Sequence, residues 1–424
     1  MNVLELEEFN IIKEFRSEQY NKYVVEPIDK PTFCSKCGSI FKENAKLKVH
    51  DVRTRKVADQ DIRGMKVIIE IKQRRFYCPE CGDTFTEIFK SIAPDDRITV
   101  RLRDCLGKES IKGNTSFASL ADQYGVSEST VKRSFEVHVA KLDAQRVLVA
   151  PRILGIDEIY VHIKGEHRKQ PCAVFTDVEK GKPIEFVRGI TKELVVQKIK
   201  EMKGHENIEV VTMDMASAYR NAVEETIPKA FCVIDRFHVM QKFNMKVDVL
   251  RASIQSKASE GARKELFRVK YAIRSNRENL NKNEQIQQLD GVLEKYPALK
   301  EAYWAKEGLK DVYNAKTKYD AYQLYYQWET SISKGNKVGK EMQKLVNKLK
   351  KEVFAYFDGH WTNAYTESFN NVIRRIVRLG NGYSYDTLRA KVIFGSDKAE
   401  PSKAKNMQFY EVDAITGKRI FVTD

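Results

Sequence analysis

Residues 153–163 read ILGIDEIYVHI, and residues 208–214 read IEVVTMD. Both runs are short, apolar and rich in β-branched residues, as strands buried on both faces of a sheet should be. Each breaks that pattern at one aspartate, Asp157 inside the first run and Asp214 at the end of the second. Residues 171–176 (PCAVFT), 183–188 (PIEFVR) and 230–235 (AFCVID) also read as strands, the last ending at Asp235. Residues 192–202 and 217–227 carry helical periodicity. The order is therefore βββαβαβ, an antiparallel meander followed by right-handed crossovers to parallel strands.

That order is the one a ribonuclease-H-like domain has. In such a sheet Asp157, at the centre of the first strand, and Asp214, at the end of the neighbouring fourth, project toward one another. Two close carboxylates repel, which raises a pKa or recruits a divalent cation, and hard oxygen ligands with open positions suit Mg²⁺. A third carboxylate is expected from a helix laid across these strands. Residues 362–378 read TNAYTESFNNVIRRIVR. At 3.6 residues per turn Glu367, Asn370, Asn371, Arg374, Arg375 and Arg378 share one face, and Phe369, Val372, Ile373 and Ile376 the other. A carboxylate beside two amides and three guanidiniums fits a metal ligand flanked by phosphate clamps. Asp235, with His238 beside it, either takes the place of Asp214 as a ligand or, the preferred reading, supports the site from behind.

Toward the N-terminus, Cys34-x-x-Cys37-Gly and Cys78-x-x-Cys81-Gly are two knuckles separated by forty residues. Together they offer the four soft ligands of one structural Zn²⁺ site, with a β-meander inserted between them. In that meander Arg53, Arg55 and Lys56, and before the second knuckle Arg74 and Arg75, are expected to contact phosphates. Residues 117–124 then place apolar side chains on one helical face, Gly125 permits a tight turn, and Ser127 can cap a second helix. The spacing is that of a helix-turn-helix, whose second helix would present Ser129, Lys132 and Arg133 to the major groove of DNA.

The composition agrees with a polyanionic partner. The 424 residues carry a formal net charge of +15, and residues 30–75 (+8) and 331–391 (+7) hold the whole of it. Localised surplus is what a phosphate-binding surface requires. No apolar run reaches 18 residues, which argues against a membrane partner, and the acidic start MNVLELEEFN is unlike a signal peptide. A cytoplasmic location is expected, with Cys105, Cys172 and Cys232 as core residues rather than disulfide partners. The expected fold class is a multidomain α+β and α/β chain. It consists of a zinc-ribbon β domain (1–92), a helix-turn-helix domain (93–150), the first part of a ribonuclease-H-like catalytic core (151–240), a helical insertion (241–350), the second part of the core with its catalytic helix (351–395), and a tail (396–424).

The motifs GIDE at 155–158, MDMASAY at 213–219, IDRFHV at 234–239 and TNAYTESFNNVIRRIVR at 362–378 resemble those of the DDE transposases of bacterial insertion sequences. With the paired CxxC ribbon and the helix-turn-helix ahead of them, the chain looks like the ISL-three family in particular, in order and over nearly its whole length. The resemblance implies Asp157, Asp214 and Glu367 as the catalytic triad, holding two Mg²⁺ or Mn²⁺ ions, and one structural Zn²⁺ in the ribbon. It implies metal-dependent cleavage and strand transfer of double-stranded DNA, both at terminal inverted repeats and at a target, by a homodimer or higher oligomer. Two other classes compete: a non-catalytic or domesticated sequence-specific DNA-binding regulator, and a metal-dependent nuclease that cuts without joining.

Overall fold

The computed structural model describes residues 3–41, 47–92, 96–280 and 282–395, and the backbone of a hairpin formed by Tyr410–Val412 and Arg419–Phe421. The rest of the tail expected from residue 396 lies outside the described residues. The chain forms two compact units, Met1–Arg146 with Arg375–Asp424, and Val147–Arg374.

The first unit opens with β1 (Phe9–Arg16), β2 (Tyr20–Pro27), β3 (Val49–Ile62), β4 (Met65–Tyr77) and β5 (Thr84–Thr86), in the order β1-β2-β4-β3 with β5 against β4. β4 alternates strictly, burying Val67, Ile69 and Ile71 and lifting Lys66, Ile68 and Glu70 toward the other face. The β3–β4 turn places Arg63 and Gly64 at positive φ, the left-handed pair that a tight hairpin needs. Three helices follow: α1 (Val100–Ile111), α2 (Phe117–Tyr124) and α3 (Glu128–Gln145). Their N-caps Thr99, Ser116 and Ser127 each accept the backbone N–H three residues on. Gly125 ends α2 at φ +64°, and Leu102, Leu106, Leu120, Ala121 and Val131 close the core between the three.

The second unit holds β6 (Ile153–Val161), β7 (Gln170–Asp177), β8 (Lys182–Arg188), α4 (Lys192–Glu201), β9 (Val210–Met213), α5 (Ser217–Thr226) and β10 (Phe231–Ile234). The strands lie in the order β10-β9-β6-β7-β8, with β6-β7-β8 antiparallel and β10, β9 and β6 parallel. Helices α4 and α5 cover one face through Val195, Ile199, Tyr219 and Val223. The other face, represented by Ile153, Val210 and Val233, packs against a helical array. That array is α6 (Arg236–Lys257), α7 (Glu260–Arg268), α8 (Lys270–Arg274), α9 (Asn283–Lys295), α10 (Pro297–Tyr313), α11 (Lys318–Ser331), α12 (Lys337–Lys348), α13 (Lys350–Phe354) and α14 (Tyr356–Gly359).

Two helices close the described chain, α15 (Ala364–Leu379) and α16 (Tyr385–Phe394). The division between the units falls inside α15, so the expected second part of the core, 351–395, is split at residue 374. Its last half, from residue 375, belongs to the N-terminal unit for a definite reason. Lys391 of α16 is fully buried and donates to the carbonyls of Ser110, Lys112 and Thr115, the C-terminal end of α1 and the loop after it. Burial pushes its ammonium down to about 8, and three carbonyls hold the proton in place. Ile111, Phe135 and Ala390 seal the same contact.

Candidate active site and metal centre

Side-chain alternation puts Asp157 on the same face of β6 as Gly155, away from α4 and α5. The parallel register pairs Ile156 with Met213, so Asp157 and Asp214 are consecutive positions on neighbouring strands. Helix α15 crosses above them. Its approach depends on Gly155, where a Cβ would stand 2.4 Å from both Thr176 Oγ1 and Thr366 Oγ1. Those two hydroxyls hydrogen-bond each other at 2.7 Å. Asn363, fully buried just before α15, accepts from Thr212 and Thr366 and donates to the Ile156 carbonyl. This polar clasp fixes the helix, and with it Glu367, over the sheet. Gly155→Ala should therefore cost about 1–3 kcal/mol through overpacking. A thermal melt reads the cost as a drop of several degrees, and an unchanged midpoint would mean that α15 yields freely.

Asp157, Glu158, Asp214, His238, Glu367, Asn370, Asn371 and Arg374 line one cleft of about 620 Å³, together with Tyr160, Lys169, Phe237 and Gln241. Asp157 is almost wholly buried; the Glu158 N–H and the Asn370 amide donate to its two oxygens at 2.9 and 2.8 Å. Burial, with Asp214 and Glu367 nearby, pushes its carboxyl up to about 6 against the opposing pull of His238 and the Glu158 N–H. Burial also raises Asp214, although the Ala216 N–H donates to it at 2.8 Å. His238 Nε2 stands 3.1 Å from Glu367 Oε1 and 3.9 Å from Asp157 Oδ1. Burial works against the imidazolium, yet these carboxylates raise it to about 8. Glu367 Oε1, His238 Nε2 and Asn370 Oδ1 are nevertheless buried without an aligned hydrogen-bond partner. A set of desolvated hard oxygens with orphaned lone pairs suits a divalent cation.

Asp235 does not line this cleft. It caps α6 by accepting from the Phe237 N–H at 2.8 Å and also takes the Asn363 N–H, so it supports the clasp from behind. Arg374 reaches the cleft and donates to Asn371 at 2.8 Å. Arg375 and Arg378 are exposed on the part of α15 that belongs to the other unit. The polar face expected for α15 is thus divided by burial, with Asn370 under Asp157 and Asn371 open to solvent. Gly155, Thr366 and the clasp role of Asn363 escaped sequence reasoning, as did Lys169 and Gln241; the only signal was a glycine inside a strand otherwise made of large residues.

The four knuckle cysteines are, among the described residues, the one group of three or more ligand-type side chains placed to hold a metal ion, their sulfurs all within 4.8 Å of one another. Each knuckle folds identically: the Gly38 N–H donates to the Cys34 carbonyl and the Gly82 N–H to that of Cys78, both glycines at positive φ. Cys37 and Cys78 sulfurs are 3.8 Å apart, about the separation that tetrahedral zinc with bonds of about 2.3 Å imposes. The residues fit a structural Zn²⁺.

The residues expected to meet phosphates divide in two. Arg74 forks onto Glu87 at 2.8–3.2 Å, Arg75 pairs with Asp51 and Thr84, and Arg55 donates to the Asp96 carbonyl, so all three brace the fold. Lys56 is exposed, as are Arg53, which pairs with Asp51 at 3.4 Å, Ser129, Arg133 and Lys132, which pairs with Glu136 at 3.6 Å.

Residues 154–392 match the family model of the ISL3-type DDE transposases, described as a transposase, and residues 30–81 match one described as the zinc-finger of transposase IS204/IS1001/IS1096/IS1165. The transposase for insertion sequence element IS1001 of Bordetella parapertussis is 24% identical over 386 residues, which is 85% of this chain and 87% of that relative.

Proposed function

The chain belongs to the ISL3 family of insertion-sequence transposases, and from that premise we propose that it binds the terminal inverted repeats of its own element and catalyses metal-dependent strand cleavage and strand transfer. The observation that carries the reading is the convergence of Asp157 on β6, Asp214 after β9 and Glu367 on α15 on one cleft, in which Glu367 Oε1 and Asn370 Oδ1 are buried without an aligned partner.

These three carboxylates would hold two Mg²⁺ or Mn²⁺ ions. Such ions supply an activated water, then an activated 3′-hydroxyl, and charge for the leaving oxygen. The chain does the rest. Asn370 and the Glu158 N–H orient Asp157, and His238 holds Glu367 beside it. Lys169 and Arg374 offer cations to the phosphates on either side of the scissile one. No protein nucleophile is required. On this reading the β10-β9-β6-β7-β8 sheet is a ribonuclease-H-like core and α6 to α14 its helical insertion. Helices α2 and α3 act as a helix-turn-helix, with Arg133 aimed at base edges and Lys56, Arg53 and Lys132 at phosphates. The protein would act in the cytoplasm, on double-stranded DNA, as a homodimer or higher oligomer. No helix among the described residues is long and apolar enough to cross a membrane.

Purified protein incubated with Mg²⁺ and DNA carrying the element's ends is expected to nick those ends and then join them to a second duplex. Binding without nicking would favour the regulator, and nicking without joining the simple nuclease. Within the same assay Arg133→Ala should lower discrimination between end DNA and random DNA by about 1–3 kcal/mol. An equal loss on both would move Arg133 to phosphate contact.

A further inference from the structure

The +7 surplus of residues 331–391 is only partly used by the cleft. Lys337, Lys340, Lys344 and Lys348 recur along α12 at steps of three and four, which gathers them within an arc of about 80° and a length of about 16 Å. Lys337, Lys344 and Lys348 are exposed and have no carboxylate partner among the described residues, while Lys340 bonds only the neutral Gln343. Of the two acids nearest the stripe, Glu341 is neutralised by an ion pair with Lys246, and Glu329 is taken up by the amides of Gln343 and Asn347.

A lysine stripe alone is an ordinary solvated face. What sets this one apart is the neighbouring helix. Tyr319, Tyr322 and Tyr326 of α11 lie on one face at steps of three and four, and are 71%, 38% and 66% exposed. Among the described residues, Tyr319 and Tyr326 belong to neither hydrophobic cluster of the unit. The two faces are held side by side by a fixed seam: Glu329 of α11 accepts from Gln343 and Asn347 of α12 at 3.0 and 2.7 Å, and the buried Tyr325 donates to Asn347 at 3.0 Å. Cations that track a backbone, next to rings free to stack, are the two components of a site for nucleic acid with accessible bases.

We infer that the joint face of α11 and α12 is a second DNA-binding surface, one that takes an unpaired strand, with the lysines on its phosphates and Tyr319 and Tyr326 stacked on its bases. The inference rests on the reading that DNA is the substrate, and it places a nucleic-acid site in the helical insertion, outside the cleft.

Fluorescence anisotropy of full-length protein with a labelled dT20 strand and a labelled 20-base-pair duplex, over a series of salt concentrations, tests it. Lys337, Lys344 and Lys348 changed together to Gln should flatten the dependence of log K on log salt for dT20 by about 2. The corresponding triple Arg variant should keep the wild-type slope. Tyr319→Ala with Tyr326→Ala should weaken dT20 binding about tenfold or more at unchanged slope, and leave duplex binding within twofold. Circular dichroism checks that each variant is folded, as exposed positions should permit. If the Gln variant keeps the wild-type slope, or the Tyr variant loses duplex and dT20 equally, the inference is wrong while DNA binding stands. If polyglutamate displaces dT20 as effectively as unlabelled dT20 does, the face is a generic polyanion site and the inference also fails. Wild-type protein that binds neither probe would instead overturn the DNA reading as a whole.

Discussion

Glu367→Gln will leave binding to end DNA intact and remove both cleavage and joining. The substitution keeps the size of the side chain and its place on α15, but takes away the charge that a divalent ion needs. Glu367 is part of unit 147–374, whereas the zinc knuckles and α1 to α3 belong to the other unit, so the binding surfaces should not register the change. Loss of even an outer-shell support commonly costs 10–100-fold at a metal site, so loss of a ligand should lower nicking by more than about 100-fold. Joining should fall in parallel because on the proposed mechanism one site serves both steps, and Asp157→Asn should reproduce the phenotype. If Glu367 merely solvated a helix, the change would alter stability by no more than about 0.5 kcal/mol and leave activity near normal. A time course of nicking on end DNA separates the two. Activity within a fewfold of wild type would discard the triad and turn attention to Glu158, which lines the same cleft.

Stripping the zinc should have the opposite signature, with binding lost first. The knuckle module has a very small core of its own: Cys34, Leu47, Phe76, Cys78 and Phe85. The strands between the knuckles have a core of their own in Val57, Val67, Ile69 and Ile71, but so few buried residues cannot by themselves hold the two knuckle turns together, and structural zinc typically supplies about 10–16 kcal/mol where it organises such turns. Cys78→Ser removes a buried ligand and leaves three thiols that no longer close a tetrahedron. Metal content measured by mass spectrometry should fall from one zinc per chain toward none, and affinity for end DNA should fall with it. A chelator should have the same effect on the unsubstituted protein, reversed by adding zinc back. Full zinc content in the Cys78→Ser protein would remove the four-cysteine assignment.

The sequence was most legible where one residue contradicted its surroundings. An aspartate in an apolar strand has few reasons to be there, and Asp157 and Asp214 stood out for that reason. Cysteine pairs at fixed spacing are similarly self-announcing, because two sulfurs on one turn favour one ion. The arginines were less legible. Arg53, Arg55, Arg74 and Arg75 are equivalent in a count of charge, yet Arg74 is forked onto Glu87, thirteen residues away in sequence, and Arg55 is bound to a carbonyl forty-one residues away.

By itself, then, the sequence determined what depends on neighbours along the chain. It set the order of strands and helices, the two knuckles, the turn at Gly125, and the face of α15 that carries Glu367 with Asn370 and Arg374, because periodicity and turn chemistry act within a few residues. Only the tertiary structure decided which of those polar groups are withdrawn from water. Asn370 lies beneath Asp157, Asp235 and Asn363 form a clasp behind the cleft, Gly155 is an obligatory gap under Thr366, and Lys391 ties α16 to the end of α1. Each of these joins residues brought together from distant parts of the chain. Burial is a property of what packs above a residue, and no local pattern can specify it.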